Sequence, residues 1–436
     1  MRIGIKVLGC PKNEADCEIL AGLLKKRGHE IVKSVENADV VILDTCAFIE
    51  DAKRESISEI FEFVNYKMSV KRDLKLIVKG CLVQRYGKIL RKEIPEVDGW
   101  FGVIEPERLV DALERGEKFL VPATPEVIYS FSHRCSLDDK PYSYIKISDG
   151  CDRNCTFCSI PSFKGGFRSR RIDDILKEAE YLIESGKKEI ILVAQDTTGY
   201  GTDIYGKQAL PELLRKLNSL DGKFWIRVMY LHPDFITQDI IETICSLEKV
   251  VKYFDIPIQH ASDRILKRMG RIKKSKELMK LFEEIRKVCP DAVLRTGVIV
   301  GFPGEKEEDF EKLVEFITNV RFDKLGVFTY SDEEGTAAYR FNDKVSKEVA
   351  LERKERLLLE QANISFERLS RFLGKELVAI LEDRENGFII GRAWTDAPEI
   401  DGVIYLRGEG GIGDFARVRI EEHDEYDMKG VILCQT

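Results

Sequence analysis

Residues 149–159 have the sequence DGCDRNCTFCS and directly follow the apolar segment 142–147. They place Cys151, Cys155 and Cys158 in a C-x3-C-x2-C array on one short loop. Three thiolates this close can hold one iron–sulfur cluster, and a cubane has four irons, so one iron keeps an open position. An open metal position allows a small molecule to coordinate and react. The loop therefore predicts a reactive cluster at the end of a strand.

Three other interpretations of this loop are a zinc knuckle, a ferredoxin loop and three unrelated thiols. A structural zinc site normally needs a fourth Cys or His nearby, and none follows before Leu192. A ferredoxin needs a fourth Cys at a set spacing. The pattern favours the three-cysteine cluster over these alternatives.

With Phe157 before its last cysteine, the array resembles that of the radical S-adenosylmethionine (SAM) enzymes. The resemblance implies that the amino and carboxylate groups of SAM chelate the open iron. It also implies that an electron from the cluster cleaves SAM to a 5′-deoxyadenosyl radical.

Length and composition bound the class of protein. A chain of 436 residues is long enough for two to four domains, each with its own core. Apolar runs such as residues 189–194 are too short to span a bilayer, and the start MRIGIKVLG lacks the features of a signal peptide. We therefore expect a cytoplasmic protein without membrane association. Eleven cysteines in that compartment indicate metal or redox chemistry more than disulfides.

The N-terminal third alternates strand and helix patterns, which predicts a parallel α/β sheet with right-handed crossovers. The predicted strands are residues 2–9, 40–45 and 74–80, and the predicted helices between them are residues 14–27 and 52–68.

Three cysteines follow these three strands: Cys10, Cys46 and Cys81. Open α/β sheets bind ligands beyond the carboxyl ends of their strands, so we expect the three thiols at one edge. Together they predict a second iron–sulfur cluster with one open iron, although any one of them alone could be a small buried hydrophobe. The other cysteines differ: Cys17 and Cys245 lie at helical spacing from apolar residues and are predicted to be core, and Cys135, Cys289 and Cys434 have no partner pattern.

This second trio, together with LGCPKNEAD at residues 8–16, is similar to the N-terminal domain of the methylthiotransferases, which are radical SAM enzymes with an auxiliary cluster. The motif resembles the branch that modifies a ribosomal protein, whereas the tRNA-modifying branch more often has Gln where Pro11 stands. The resemblance implies two 4Fe-4S clusters, SAM as cofactor, and transfer of a methylthio group to the β-carbon of an aspartate in ribosomal protein S12. It also implies an electron donor as a partner.

The middle of the chain contains six repeated βα units, which predicts an open, partial (β/α)6 barrel of TIM type with its site at the carboxyl ends of the strands. The predicted strands are residues 142–147, 189–195, 225–231, 253–258, 293–301 and 324–330.

Polar residues and glycines recur at these strand ends. They include Gln195 and Asp196, His232, Gln259 and His260, and the segment GVIVGFPGE at residues 297–305. That segment is similar to the adenosyl-binding segment of the family. The residues predicted to bind the cofactor are Phe157, Gln195, Gln259, Gly297, Val300 and Gly301. For the two histidines we expect hydrogen bonding rather than metal ligation.

The segment after the cysteine loop is basic, with Lys164, Arg168, Arg170 and Arg171. The family usually has Arg at the position of Lys164, and lysine lacks the bidentate fork. The three arginines could bind an acidic substrate group or the carboxylate of SAM, or they could cap the loop electrostatically.

A long helix from N-cap Ser346 is predicted to join the barrel to the C-terminal segment. Its predicted apolar face is Leu351, Leu358, Ala362, Ser365, Leu369 and Phe372. Five short strands then predict a small antiparallel β-barrel of OB type, which resembles a TRAM domain. Residues 372–436 carry seven Lys/Arg and fourteen Asp/Glu, and so hold the whole net charge of −7. Such a surface would repel tRNA and attract a basic protein, or it could merely solubilise the domain.

We therefore predict four regions: an N-terminal domain at residues 1–133 with the auxiliary cluster, a radical SAM barrel at 134–345, a linking helix at 346–373 and a TRAM-like barrel at 374–436. The favoured function is methylthio transfer to a basic ribosomal protein, free or on the ribosome. The alternatives are a tRNA adenosine methylthiotransferase and a non-catalytic iron–sulfur scaffold or electron carrier.

Overall fold

The computed structural model describes residues 1–125, 131 and 133–435 of the chain. The N-terminal region is a six-stranded, wholly parallel sheet in the order β2-β1-β3-β4-β5-β6, packed with helices. Its elements are β1 (Arg2–Val7), α1 (Pro11–Lys26), β2 (Glu30–Ile31), β3 (Val40–Thr45), α2 (Glu50–Ser69), β4 (Lys75–Gly80), α3 (Cys81–Glu93), β5 (Gly99–Phe101), α4 (Pro106–Glu114) and β6 (Phe119–Leu120). The predicted parallel α/β sheet is confirmed.

The middle region repeats strand and helix six times. Its elements are β7 (Tyr142–Lys146), β8 (Ser148–Asp149), α5 (Ile160–Lys164), β9 (Arg168–Ser169), α6 (Ile172–Glu184), β10 (Glu189–Val193), α7 (Thr202–Tyr205), α8 (Leu210–Asn218), β11 (Trp225–Val228), α9 (Gln238–Ser246), β12 (Tyr253–Asp255), α10 (Asp263–Arg268), α11 (Ser275–Val288), β13 (Val293–Val300), α12 (Glu307–Val320), β14 (Lys324–Thr329) and α13 (Lys347–Leu369).

The six main strands form two parallel groups of three, β7-β10-β11 and β12-β13-β14. The two groups meet where Leu231 N–H donates to the carbonyl of Asp255 at 2.9 Å and where Ile226 forms a bridge with Val250. The predicted order of six strands is thus present, with sparser pairing at the centre than within each half.

Side chains alternate between the two faces of these strands. On β10, Ile190 and Leu192 lie in the core beneath the outer helices, whereas Ile191 and Val193 lie in an inner cluster. That inner cluster also contains Ala15 of α1 and Ala397 of the C-terminal region. The N-terminal and C-terminal regions therefore both help to fill the inside of the partial barrel.

The C-terminal region is a closed five-stranded barrel in the order β15-β16-β17-β19-β18. Its strands are β15 (Glu376–Glu385), β16 (Phe388–Ala393), β17 (Ile404–Arg407), β18 (Phe415–His423) and β19 (Met428–Gln435). Its core is aliphatic, and Leu369 and Phe372 at the end of α13 pack into it. The predicted small β-barrel is confirmed, but it is not wholly antiparallel, because β17 and β19 pair in parallel.

The predicted apolar face of α13 is wrong in part. Leu351 is 52% exposed, whereas Leu357 and Ile364 are buried and belong to the core of the middle region. The buried face also carries polar residues: Gln361 donates to the carbonyl of Phe322 at 2.9 Å, and Arg353 pairs with Glu305 at 2.9 Å. Because charged side chains hold part of this face, apolar periodicity alone could not locate it.

A buried ionic cluster fastens the C-terminal barrel to the middle region. Glu189 at the start of β10 pairs with Arg227 at 2.6 Å and with Arg392 of β16 at 2.5 Å. Arg392 also pairs with Glu382 of β15 at 2.7 Å. Burial opposes ionisation of Glu189, but the two arginines hold the pKa of its carboxyl below its usual value.

No helix of the described residues has both the length and the apolar character that crossing a membrane requires.

We expect Glu189→Gln to lower the free energy of unfolding by about 3 kcal/mol, because removing one partner leaves buried arginine charge uncompensated. The lowered pKa means that this contribution is present above the unfolded-state pKa of about 4.3 and is lost as pH falls through the folded-state value. Chemical denaturation at pH 7 and at pH 4 measures both effects. Glu212→Gln, at a solvent-exposed pair with Lys207, is the control and should leave the unfolding midpoint unchanged. Equal effects of the two changes would contradict the role of the cluster.

Candidate active site

The loop after β8 brings Cys151, Cys155 and Cys158 within electrostatic range of one another. Burial raises the pKa of Cys151 to about 11 and that of Cys158 to about 12, and the neighbouring Cys155 contributes to both shifts. Buried thiols with raised pKa values stay protonated unless a metal displaces the proton. Three thiols on one loop are nevertheless a donor set that fits an iron–sulfur cluster, whose irons bind thiolate.

Backbone contacts fix the shape of this loop. Gly150 has a φ of +75°, and a Cβ there would lie 2.7 Å from the carbonyl oxygen of Gly165. Thr156 N–H donates to the carbonyl of Met269 at 3.0 Å, and its hydroxyl donates to the carbonyl of Arg268 at 2.7 Å. The loop is thus held from both sides, by the glycines after α5 and by the end of α10.

The second trio lies at the carboxyl edge of three adjacent strands. Cys10 is the N-cap of α1, Cys46 directly follows β3, and Cys81 is the first residue of α3. Burial raises the pKa of Cys81 to about 12, and nearby Cys46 and Cys10 add to the shift while Lys164 opposes it. The structure therefore brings together the three cysteines that the sequence places at strand ends.

Local contacts orient two members of this trio. Cys10 Sγ lies 3.3 Å from Asn13 Oδ1, and Cys46 N–H donates to Ser56 Oγ at 3.0 Å. Among the described residues, no three His, Cys, Asp or Glu side chains are grouped closely enough to hold a single metal ion. Cysteines that bind different irons of one cluster need not be so close.

A buried ionic network connects the two trios. Lys146 Nζ of β7 lies 2.5 Å from Asp16 Oδ1 of α1 and 3.3 Å from Asp149 Oδ2. Lys164 Nζ lies 3.8 Å from the same Asp149 oxygen, within range of the Cys81 and Cys10 thiols. Burial opposes ionisation of Asp149, but Lys146 and Lys164 hold the pKa of its carboxyl well below its usual range. These ion pairs thus link Asp16, six residues after Cys10, to Asp149, two residues before Cys151.

Gln195 faces this network from the end of β10. Its Nε2 donates to Asp149 Oδ1 at 2.6 Å, while its Oε1 is buried without a hydrogen-bond partner among the described residues. A buried carbonyl oxygen without a partner is rare in folded proteins. An amino or hydroxyl donor of a small molecule such as SAM would satisfy it.

The other residues predicted to bind the cofactor differ in what their side chains touch. Phe157 packs beside Met269 and Phe302, with the Arg271 guanidinium 5.9 Å from its ring centroid. Gln259 has a φ of +71°, and its backbone bonds to Gly297 and Ile299 of β13. A Cβ at Gly297 would meet nothing closer than 3.7 Å, so this position leaves space above the strand.

Two positions of the glycine-rich segment have structural explanations. Val300 is fully buried in the core between strands and helices, so only its backbone could face a ligand, and its carbonyl already accepts from Tyr330 N–H at 2.9 Å. Gly301 has a φ of +72°, and a Cβ there would lie 2.5 Å from that of Ala350. Close packing of α13 therefore accounts for Gly301 without a ligand.

The arginines after the loop are engaged in structural contacts. Arg168 donates to the carbonyls of Pro125 at 2.6 Å and Lys164 at 2.8 Å, and Arg170 is buried against Glu178 at 2.6 Å. Both arginines thus have structural partners, and the binding of an acidic group by them stays a prediction. Arg171 is exposed and is the N-cap of α6.

The two histidines are held by hydrogen bonds, as expected. His232 Nδ1 accepts from Asp234 N–H at 3.3 Å, and burial beside Arg271 lowers the pKa of this ring to about 2. His260 is buried, and its Nδ1 accepts from Ser262 N–H at 2.9 Å.

The remaining cysteines lie outside the two trios. Cys17 is buried, as expected, and its Sγ lies 3.3 Å from Asp44 Oδ2. Cys245 packs partly against the core, and its interaction with Cys289 lowers the pKa of Cys289. The sequence pattern gave no indication of this pairing.

Several residues near the trios were not anticipated from the sequence. They are Lys12, Asp16, Lys146, Asp149 and Tyr230. Lys12 and Asp16 stand within the LGCPKNEAD motif, and Asp149 adjoins the cysteine loop, so proximity to the cysteines was an available signal. Tyr230 carries no such signal, because only the fold brings the end of β11 to α1.

Sequence profiles of three families match the chain. They are described as the radical SAM superfamily, over residues 145–317, the uncharacterized protein family UPF0004, over residues 2–102, and the TRAM domain, over residues 373–433.

Solved structures share the fold at low sequence identity. The radical SAM methyltransferase TsrM from Kitasatospora setae, with cobalamin and a [4Fe-4S] cluster bound, has a TM-score of 0.57 at 13% identity, covering 75% of this chain and 74% of that chain. The cobalamin-dependent SAM radical enzyme OxsB has a TM-score of 0.52 at 14% identity, covering 83% of this chain and 56% of that chain. At such identities the likeness concerns the fold alone.

Relatives of known name match over almost the full length. The ribosomal protein uS12 methylthiotransferase RimO of Thermotoga sp. (strain RQ2) is 64% identical, and the RimO of Thermotoga maritima is 63% identical. Each alignment covers 99% of this chain and 100% of the relative. The RimO of Thermosipho africanus is 56% identical, with the same coverage of both chains. This chain therefore belongs to the family of ribosomal protein uS12 methylthiotransferases RimO.

Proposed function

We propose that this chain is a radical SAM methylthiotransferase that adds a methylthio group to the β-carbon of an aspartate in ribosomal protein uS12. The observation that carries the proposal is the buried link from Asp16 through Lys146 to Asp149, with Nζ to oxygen distances of 2.5 and 3.3 Å. It couples the segment of Cys10 to the segment of Cys151. Sulfur insertion needs both centres beside one substrate carbon, and this link supports that arrangement.

Cys151, Cys155 and Cys158 would hold one 4Fe-4S cluster with SAM, and Cys10, Cys46 and Cys81 would hold the second. When bound, these groups supply the electron that cleaves SAM and the sulfur that is transferred, which is chemistry that side chains cannot perform. The protein supplies position and electrostatics. Lys164 opposes the rise in the pKa of Cys81 and so favours its thiolate, and Gln195 offers Oε1 to a donor of SAM.

The charge of the C-terminal barrel supports a basic protein substrate over RNA. Four of its exposed cations already pair with carboxylates: Arg407 and Arg419 with Glu421, Arg417 with Glu376, and Lys429 with Glu422. RNA binding requires cations that can displace counterions from phosphate. With fourteen acidic residues against seven basic ones after residue 371, the barrel has carboxylates in excess. Such a surface attracts a basic ribosomal protein.

The relatives are named as methylthiotransferases of uS12, and we assign the same substrate to this chain. Within the proposal the enzyme acts in the cytoplasm, on free uS12 or on the assembled ribosome, and takes electrons from a separate donor protein. The tRNA adenosine methylthiotransferase and the non-catalytic scaffold remain as the alternatives against which the proposal is tested.

Replacing one trio by alanine should remove about half of the iron, because two similar clusters would share it equally. We expect this for the Cys151, Cys155 and Cys158 triple variant and, separately, for the Cys10, Cys46 and Cys81 variant. Iron and acid-labile sulfide analysis after anaerobic reconstitution measures it. Only the second variant should still convert SAM to 5′-deoxyadenosine.

Cys434→Ala is the matched control, since this exposed cysteine lies outside both trios and should leave the iron content unchanged. Loss of all iron from either triple variant would contradict the assignment of two separate sites. A reduced wild-type protein that yields no 5′-deoxyadenosine would favour the scaffold.

Label from methyl-labelled SAM should appear in uS12 and be absent from tRNA when both substrates are offered together. Mass spectrometry of uS12 should locate the added methylthio group on one aspartate. Label in tRNA with none in the protein would overturn the proposed substrate in favour of the tRNA alternative.

Reversing charge on the C-terminal barrel should weaken binding of the basic substrate. We expect Glu422→Lys combined with Glu425→Lys to raise KM for uS12 by about three- to tenfold at low ionic strength, with the difference shrinking as salt screens the charges. Steady-state kinetics at two salt concentrations measures it. Glu248→Lys combined with Glu283→Lys alters two exposed acids of the middle region by the same charge and is the control. An identical KM change in both double variants would indicate a net-charge effect only.

A further inference from the structure

Lys12 occupies an unusual position between the two cysteine trios. It is the second residue of α1, two positions after Cys10, and only 8% of its surface is exposed. Its ammonium lies within electrostatic range of the Cys10 thiol, Lys164 and Asp149. Among the described residues, no carboxylate oxygen comes within 4.0 Å of it. Lys12 is therefore a largely buried lysine whose ammonium has no carboxylate partner among the described residues.

The neighbouring buried lysines differ from Lys12 in this respect. Lys146 pairs with Asp16 and Asp149, Lys79 pairs with Asp44 at 2.9 Å, and Lys164 reaches Asp149 at 3.8 Å. Four lysines thus face three aspartates in this region. A buried charge is costly without an opposite charge beside it. Lys12 is thus the one of these four lysines with no carboxylate of the described residues beside its ammonium, and a carboxylate from outside the chain could take that place.

Tyr230 fixes the position of the Lys12 ammonium. Lys12 Nζ lies 4.6 Å from the centroid of the Tyr230 ring. Tyr230 has a φ of +61°, a conformation that non-glycine residues rarely adopt, and such strain clusters at functional sites. Its N–H donates to Asp255 Oδ2 at 2.9 Å, and its carbonyl accepts from Thr197 N–H at 3.1 Å. These two hydrogen bonds fix the backbone after β11 and so place the Tyr230 ring beside the Lys12 ammonium.

We propose that Lys12, positioned on Tyr230, binds the side-chain carboxylate of the substrate aspartate. This inference rests on the proposed function and assigns the group that recognises the acidic side chain. A carboxylate would give the Lys12 ammonium the partner that the described residues do not supply, beside Cys10. A neutral amide in the same place would leave the lysine charge unpaired, so the site distinguishes aspartate from asparagine.

The test is a double-mutant cycle between the enzyme and a peptide that carries the target loop of uS12. The peptide has Asp or Asn at the target position, and the enzyme is wild type or Lys12→Met, which keeps the length of the side chain and removes the charge. We expect the wild type to bind the Asp peptide about 10- to 100-fold more tightly than the Asn peptide. Lys12→Met should bind the two peptides within about twofold of each other. Fluorescence anisotropy with reconstituted enzyme, without reductant, measures binding with no turnover.

Two further variants sharpen the cycle. Lys12→Arg keeps the charge and should keep a preference for Asp over Asn. Lys26→Met removes one exposed charge from the last residue of the same helix and should leave both affinities unchanged. Iron content and the electron paramagnetic resonance spectrum of each reduced variant should match the wild type, which verifies that both clusters are intact.

The outcomes separate this inference from the proposed function. If Lys12→Met weakens the Asp and Asn peptides equally, or lowers the iron content, Lys12 balances the cysteine thiolates instead and the inference is overturned. If the wild type neither binds nor modifies the Asp peptide and uS12 receives no label, the proposed function itself fails. If the wild type modifies the Asp peptide and discriminates against Asn only while Lys12 or Arg is present, the inference is upheld.

Discussion

The architecture of the site depends on one buried ammonium, that of Lys146. It lies inside the partial barrel, at the carboxyl end of β7, and its charge is shared by an aspartate of α1 and an aspartate that adjoins the cysteine loop. Buried ion pairs contribute little net stability, but breaking one by separating its partners is costly because it strands a charge. The network therefore contributes mainly to the relative position of these segments and little to net stability. It fixes the register between α1, whose N-cap is Cys10, and the loop that begins at Asp149.

A second buried cluster does the same at the opposite end of the barrel. Glu189 stands at the start of β10, and Arg392 reaches it from the C-terminal barrel. Between these two clusters, Ala15 from one flanking region and Ala397 from the other pack against the same inner aromatic and aliphatic side chains. Both flanking regions therefore contribute apolar side chains to the inside of the partial barrel. The polar side chains at the carboxyl ends of its strands lie near the cysteines.

The sequence predicted the elements whose signal is local. Strand runs ending in Cys46 and Cys81, the six βα units and the five short C-terminal strands all follow from apolar patterns, and the structure contains them. Prediction from the sequence failed where charged side chains are buried against residues that are distant along the chain. For Arg168 and Arg170 the sequence left open both binding of an acidic group and capping of the loop, and it did not indicate their contacts with backbone carbonyls and Glu178. The face of α13 was misplaced because Arg353 and Gln361 are buried on it. The contact of Lys12 with Tyr230 joins residues 218 positions apart and has no periodic signature.

These ionic links also bear on how a protein substrate reaches the site. Lys53 and Arg85 of the N-terminal region both pair with Glu333, which follows β14 and is 2% exposed. Together with the Lys146 network, this pairing attaches the N-terminal region to the first and the last strands of the partial barrel. Separating the regions to admit a substrate would strand charge at both attachments, so a hinged opening of the two is energetically disfavoured. Entry of an extended substrate loop between two regions that keep their relative position costs less free energy. The ammonium of Lys12 would then select the acidic residue at the tip of that loop.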